Sequence, residues 1–263
     1  MQTGTPTRQA FIGLPLPDVP DMTRTALLLD VDGTILDIAT TPTGVVVPQT
    51  LLATLKRLLA KSDGCVAFVS GRTMENLDSL FAPLVLPAIG GHGAEMRLDP
   101  HATRMRRSPT LLTETLRRQL RMLAAVDPRI LFEDKTSSIA LHYRLALHQE
   151  TFLKTKVAAI TAAEPYGNIE ILFGKAVIEI KSARYSKGTA VRELMTHPPF
   201  AGRTPVFIGD DTTDESVFAI LPELNGRGYS VGRTVPGVQG AFGSPDDVRA
   251  WLAAICPDTG RQP

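Results

Sequence analysis

The chain has 263 residues and a mass of 28.4 kDa, room for one large domain or two modest ones. Apolar residues make up 43% and charged residues 21%, which excludes wholesale disorder. The 28 basic and 27 acidic residues leave a formal net charge of +1, so there is no electrostatic case for nucleic acid or a membrane surface as partner.

Residues 1–24 are broken by prolines and read as a flexible lead-in, with Phe11, Ile12 and Leu14 as candidates to dock on the surface. They lack the apolar stretch of a secretion signal, and no apolar run in the chain reaches the ~18 residues of a membrane span. The apolar run 25–29 predicts a strand buried on both faces and ending at Asp30. A helix follows over 48–61, with Leu51, Leu52, Leu55, Leu58 and Leu59 at helical spacing. A second strand over 65–69 ends at Ser70-Gly71-Arg72, a helix spans 74–81, and a third strand over 86–89 ends at Gly90-Gly91-His92-Gly93. Of the two cysteines, Cys65 lies inside the second strand and reads as a buried reduced thiol, which points to the cytoplasm.

The middle of the chain changes pattern. A helix over 110–126 carries Leu112, Leu116, Leu120 and Leu123 on one stripe. Strands over 130–133 and 138–144 flank a polar turn, a helix covers 150–163, and strands over 169–173 and 176–181 meet in a hairpin at Gly174-Lys175. Helix–hairpin–helix–hairpin argues for an antiparallel sheet with helices on one face. Alternation puts Ile139, Leu141 and Tyr143 on one face and His142 and Arg144 on the other, and likewise separates Ile178 and Ile180 from Val177, Glu179 and Lys181.

The first pattern then resumes: a helix over 188–195, a strand over 205–208 ending at Gly209-Asp210-Asp211, a helix over 214–220, a strand over 228–231 and a helix over 248–255. The expected fold is α/β, a Rossmann-like doubly wound parallel-sheet core formed by 25–97 and 182–263, with an inserted α+β domain over 98–181. In such sheets ligands bind at the carboxyl ends of the strands, and the polar clusters of this chain fall there.

Asp30 and Asp32 share one side of an extended segment, and Gly33 lets the chain turn away. Two such carboxylates repel unless a cation or a proton intervenes. Gly209-Asp210-Asp211-Thr212-Thr213-Asp214-Glu215 concentrates acid at another strand end, which suits a hard cation such as Mg²⁺, with Asp211 or Asp214 also expected to cap a helix. Ser70 and Gly71 offer a hydroxyl and backbone N–H groups to a phosphate. Lys187 opens a helix, where the dipole disfavours it unless an anion lies close. Together these groups are the equipment for phosphoryl transfer.

DVDGT, SGR, the Lys of SKG and GDDTTDE, in that order, resemble the four motifs of the haloacid dehalogenase-like phosphatases. The stretch between Asp30 and Ser70 is too short for a cap domain, whereas that from Ser70 to Lys187 holds one. SGRTMENL, GGHGAEMR, FEDKTSSIALHYR, GKAVIEIKSARYSKGTAVREL and VFIGDDTTDESVF narrow the resemblance to the trehalose-6-phosphate phosphatases. His92 is preceded by Gly91 where many relatives differ, and Lys181-Ser182-Ala183 replaces a more usual Arg-Pro.

The resemblance implies Mg²⁺-dependent hydrolysis of a sugar phosphate, with a trehalose-phosphate synthase as pathway neighbour. Asp30 matches the nucleophile and Asp32 the general acid/base. Thr34, Ser70 and Gly71 match phosphate-orienting positions, and Lys187 the one that neutralises charge. Asp30, the backbone carbonyl of Asp32 and Asp210 match metal ligands, with Asp211 and Asp214 expected behind them and Asp214 orienting either Lys187 or a metal-bound water. Arg72, His92, Glu133, Lys135, His142, Arg144 and Glu179 are the candidates for reading the sugar. Glu179 is expected to need a partner, Lys181 or Lys175 among the options, and Arg72 and Glu95 are expected to meet the closing cap. Rival readings are a capped phosphatase for sucrose or mannosylglycerate phosphate, a phosphomutase, a signalling receiver, or a non-catalytic sugar-phosphate sensor. The Asp30–Asp32 pair argues against a receiver, and the intact set of Asp30, Asp32, Lys187 and Asp210 against a sensor.

Overall fold

The computed structural model describes residues 17–38, 44–100, 106–107, 112–163 and 168–257. The docking expected of Phe11, Ile12 and Leu14 lies outside the described residues. Within the stretch expected as lead-in, Met22 belongs to the hydrophobic core, and the Trp251 indole donates to the carbonyl of Pro17 at 2.9 Å.

In chain order, β1 (Thr25–Leu29), α1 (Gln49–Lys61), β2 (Val66–Val69), α2 (Met74–Phe81), β3 (Ala88–Gly90), β4 (Glu95–Arg97) and β5 (Arg106–Arg107) come first. Next are α3 (Glu114–Ala124), β6 (Leu131–Asp134), β7 (Ser138–His142), α4 (Glu150–Ala162), β8 (Ile169–Gly174) and β9 (Val177–Ser182). The chain ends with α5 (Lys187–Leu194), β10 (Thr204–Gly209), α6 (Glu215–Phe218), β11 (Arg227–Val231), β12 (Gly240–Phe242) and α7 (Pro245–Ile255).

The larger sheet runs β12-β11-β10-β1-β2-β3-β4-β5. From β12 to β3 neighbouring strands are parallel. Alternation along β1 sends Leu27 and Leu29 into a core with Leu51, Leu55 and Leu58 of α1 and Val248 and Leu252 of α7. It sends Ala26 and Leu28 into a second core with Ala190, Val191 and Leu194 of α5. A sheet covered on both faces is why these strands read as unbroken apolar runs.

The parallel core carries an antiparallel extension at one edge. β4 runs antiparallel to β3, and β5 antiparallel to β4. The core sheet thus reaches Arg107, beyond residue 97. Strands two or three residues long, with Glu95, Arg97, Arg106 and Arg107 among them, carry no apolar run to find. The short β12 escaped sequence reading for the same reason.

The smaller sheet is antiparallel, in the order β6-β7-β9-β8. Ile139 lies opposite Ile180, and Leu141 opposite Ile178. These four and Tyr143 form one core with Leu116, Leu120 and Leu123 of α3 and Leu153 and Val157 of α4. The helices cover one face only, so the face with Ala140, His142 and Glu179 is left toward the larger sheet's strand ends.

β1 lies between β2 and β10, so the connections leave it in opposite directions and a crevice opens at the carboxyl ends. The cap sheet roofs that crevice.

Candidate active site

A cavity of about 690 Å³ lies between the two sheets, lined from below by Asp30, Asp32, Ser70, Gly71, Arg72, His92, Lys187, Asp210 and Asp211 and from above by Glu133, Lys135, His142, Arg144 and Glu179. The structure therefore gathers residues from both ends of the chain and from the insertion. Two expected members, Thr34 and Asp214, stand behind the wall rather than in it.

The floor is an ionic cluster. The Lys187 ammonium lies 2.7 Å from Asp30 Oδ1 and 2.7 Å from Asp214 Oδ1, and all three residues are buried. A lysine in the first turn of α5 is thus held by two carboxylates that offset the helix dipole. Burial would lower the Lys187 pKa, but Asp214 and Asp30 outweigh it and drive it up, so the ammonium stays charged. Asp214 Oδ2 accepts from the backbone N–H groups of Asp210 and Asp211, at 2.9 and 3.0 Å. Both oxygens of Asp214 are engaged, as a group orienting Lys187 requires. Asp211 caps the turn over 212–214 by accepting from the Thr212 N–H at 2.7 Å.

Asp30, Asp210 and Asp214 each place a carboxylate oxygen within 4.8 Å of the others. Burial raises the Asp30 pKa to about 7, Lys187 opposing and Asp214 adding to the rise. Burial, then the Asp30 and Asp211 charges, raise Asp210 to about 7. A bound cation would favour the ionised forms of these crowded carboxylates, and an all-oxygen donor set fits a hard divalent ion. With Asp214 engaged, Asp30 and Asp210 are the side chains that could hold it.

Thr34 is fully buried, and its hydroxyl lies 3.0 Å from Asp30 Oδ2 and 3.3 Å from Asp210 Oδ1. It joins the two carboxylates. Gly33 has φ +84°, and a Cβ there would stand 2.1 Å from Asp210 Oδ2, so only glycine lets the turn pass beneath that carboxylate.

Arg72 differs from expectation. Its guanidinium forks onto Asp32, Nε donating to Oδ2 and Nη2 to Oδ1, both at 2.6 Å, rather than reaching the cap. Glu95 Oε2 accepts from the Met74 N–H at 2.6 Å, at the start of α2. His92 of the core does reach the cap, its Nε2 lying 3.4 Å from Glu179 Oε2. His92 adopts φ 54°, and a Cβ on Gly71 would meet its ring at 2.4 Å, so the Ser70-Gly71 turn and His92 pack together. Burial lowers the His92 pKa.

Glu179 is partnered by Lys135, with Nζ 3.1 Å from Oε2, and by the Ser138 hydroxyl, which donates to Oε1 at 2.6 Å. Neither Lys181 nor Lys175 plays that part: Lys181 pairs with Glu170, and the Lys175 carbonyl accepts from Arg144 Nη2 at 3.2 Å. Burial would raise the Glu179 carboxyl, but the Lys135 and His92 charges hold it well below the usual range. His142 Nε2 lies 2.8 Å from Glu133 Oε2, and that hydrogen bond lowers the Glu133 pKa.

Sequence reasoning missed Asn76, Arg129 and Lys175 in the cavity wall. Asn76 sits in the first turn of α2, four residues past Arg72, so its position after a strand-end motif was the available signal. Lys175 lies in the turn between β8 and β9, which falls at Lys175-Ala176, one residue later than the expected Gly174-Lys175, and it reads as an ordinary turn residue. Arg129, bonded to Asp127, reads as solvated surface.

The family model described as trehalose-phosphatase matches residues 28–241, which spans every group above. The chain belongs to the trehalose-phosphatase family. It is 40% identical over 238 residues to a probable trehalose-phosphate phosphatase of Sinorhizobium fredii, covering 89% of each. It is 38% identical over 242 residues to the trehalose-6-phosphate phosphatase of Escherichia coli, covering 92% of this chain and 90% of that one. In fold it resembles the C-terminal domain of the C. albicans trehalose-6-phosphate phosphatase, with a TM-score of 0.76 at 22% identity over 89% of this chain and 92% of that domain. Membership makes the chain an enzyme, a phosphoric monoester hydrolase. Among the described residues, no helix is long and apolar enough to cross a membrane.

Proposed function

We propose that the enzyme hydrolyses trehalose 6-phosphate to trehalose and phosphate, with Mg²⁺ as cofactor and an aspartyl-phosphate on Asp30. The observation that carries this reading is the buried Asp30–Lys187–Asp214 cluster, with Asp210 alongside, under a roof of sugar-sized polar groups.

Asp30 and Asp210, with the backbone carbonyl of Asp32, would hold the cation. When bound, Mg²⁺ offsets phosphate charge and lets Asp30 and Asp210 remain ionised together. Asp30 attacks phosphorus, the bond to the sugar oxygen breaks, and Asp32 delivers the proton that oxygen needs. Water then attacks the acyl phosphate, Asp32 takes its proton, and the Asp30 carboxylate and inorganic phosphate are released. Lys187 neutralises phosphate charge, and Ser70 and the Gly71 backbone orient it. Thr34 serves the phosphate indirectly, by aligning Asp30 with Asp210. Arg72 holds Asp32 until substrate takes its place.

The core, 25–97 and 182–263, carries this chemistry. The insertion, 98–181 apart from β5, reads the sugar through Glu133, Lys135, His142, Arg144 and Glu179, with His92 below. The reading places the enzyme in the cytoplasm, in keeping with free Cys65 and Cys256, downstream of a trehalose-phosphate synthase.

The test is phosphate release from trehalose 6-phosphate, glucose 6-phosphate, sucrose 6-phosphate and mannosylglycerate phosphate, with Mg²⁺ and with chelator. Chelator-sensitive release chiefly from trehalose 6-phosphate is expected. A different preferred sugar would overturn the reading of the cap and keep that of the core. No release from any of them by folded protein would bring the sensor forward.

A further inference from the structure

The acidic loop after β10 is held on its far side by a residue that no motif contains. Arg233, in the loop after β11, donates from Nε to the Asp210 carbonyl at 2.7 Å and from Nη2 to the Asp211 carbonyl at 2.7 Å. Its third arm, Nη1, donates to Glu215 Oε1 at 2.7 Å. The Arg233 carbonyl is itself anchored by the buried Ser230 hydroxyl at 2.6 Å.

The same loop residues have their N–H groups tied to Asp214. Asp210 and Asp211 are thereby fixed on both sides, N–H toward Asp214 and C=O toward Arg233. With the backbone so pinned, the aim of the Asp210 carboxylate is set. A second cavity, of about 440 Å³, lies against the loop at Asp210, Asp211 and Thr212, with Arg233 and Ser244 in its wall. A planar guanidinium can span two successive carbonyls and a carboxylate, whereas an ammonium has neither that reach nor that shape.

We infer that Arg233 is a positioning residue for the cation site, setting Asp210 through the backbone carbonyls of the acidic loop. The inference rests on the proposal that Asp30 and Asp210 hold the metal. Groups that orient metal ligands from behind typically contribute about 10- to 100-fold to metal affinity.

The experiment titrates Mn²⁺ into the full chain and reads binding directly by electron paramagnetic resonance, beside kcat and KM for the sugar phosphate. Asp210→Asn is the control for the metal proposal. If it leaves Mn²⁺ binding intact, the metal site is elsewhere, and both the proposal and the inference fall. If it removes binding, Arg233→Ala is expected to weaken Mn²⁺ about 10-fold or more. The Mg²⁺ needed for half activity should rise in parallel, while KM at saturating Mg²⁺ stays within about twofold, a split that a general loss of packing would not produce. Arg233→Lys, which keeps the charge and one donor, should fall between. Wild-type Mn²⁺ affinity in folded Arg233→Ala would overturn the inference alone. Should that variant fail to fold, Arg233→Lys decides: weaker Mn²⁺ binding supports the inference, and wild-type affinity overturns it.

Discussion

Asp30 is surrounded by groups whose charges make sense only together. Its carboxylate touches Lys187 and Thr34, and burial keeps its pKa near neutrality. Asp30→Asn keeps the shape and removes the carboxylate proposed as nucleophile. Turnover should fall by about 10⁴- to 10⁶-fold, the range seen when a covalent nucleophile is lost. The melting temperature should change little, and a variant retaining wild-type phosphate release would rule out the aspartyl-phosphate. Gly33 is as demanding for steric reasons. Gly33→Ala combines a positive φ with a Cβ pressed into Asp210, at a cost of about 1–3 kcal/mol. Since Asp210 must move, the Mg²⁺ required for half activity should rise as the melting temperature falls. Unchanged Mg²⁺ dependence would mean that Asp210 has room to shift without consequence.

The hairpin of β6 and β7 shows how a helix can set a candidate binding residue it does not carry. Lys135 lies in the turn between these strands, where Thr136 takes φ 69°. Arg117, buried on α3, reaches across to the Asp134 carboxylate and, at 2.5 Å, to the Thr136 carbonyl. Arg117→Ala should destabilise the protein by about 1.5–3 kcal/mol, the scale for hydrogen bonds to a charged group. The freed turn should raise KM for trehalose 6-phosphate severalfold, with kcat less affected. Steady-state kinetics beside thermal melts check this, and an unchanged KM would show that the turn holds its shape without α3. From sequence, Arg117 is one of several basic residues on an amphipathic helix. Its role depends on where α3 packs.

Closure of the cap on the core is expressed at Glu179, which meets Lys135 and Ser138 of the cap and His92 of the core. Glu179→Ala should weaken use of trehalose 6-phosphate far more than use of a small generic phosphate ester, because the ester never engages the roof. Equal losses on both would remove Glu179 from sugar recognition. The carboxylate also links stability to pH. Its folded pKa lies below the ordinary value of 4.5, so the stability it contributes is present above that pH and is lost as pH falls further. The groups facing it, Lys135 and His92, lose their counter-charge over the same range. Wild type should therefore melt above Glu179→Gln at neutral pH, with the gap narrowing below about pH 4.5. A gap that stays constant down to pH 3 would show that Glu179 contributes no linkage.

Strands buried on both faces announce themselves as apolar runs, and the residues just past each run lie at the sheet's carboxyl edge. For that reason the parallel core, the alternation of the cap strands, and Asp30, Ser70, Lys187 and Asp210 as candidate site residues were all legible in the sequence. These are local properties, set by side-chain periods of two and 3.6 residues. Partnership is not local. Arg72 meets Asp32 across 40 residues of chain, Lys135 meets Glu179 across 44, and Thr34 meets Asp210 across 176. Which carboxylate a given cation chooses depends on the packing of whole elements, which no period encodes. So most candidate residues of the site, and the pairing of Asp214 with Lys187, could be expected from the sequence, whereas the partners of Arg72, Lys135 and Thr34, and Arg233 behind the acidic loop, are set by tertiary structure.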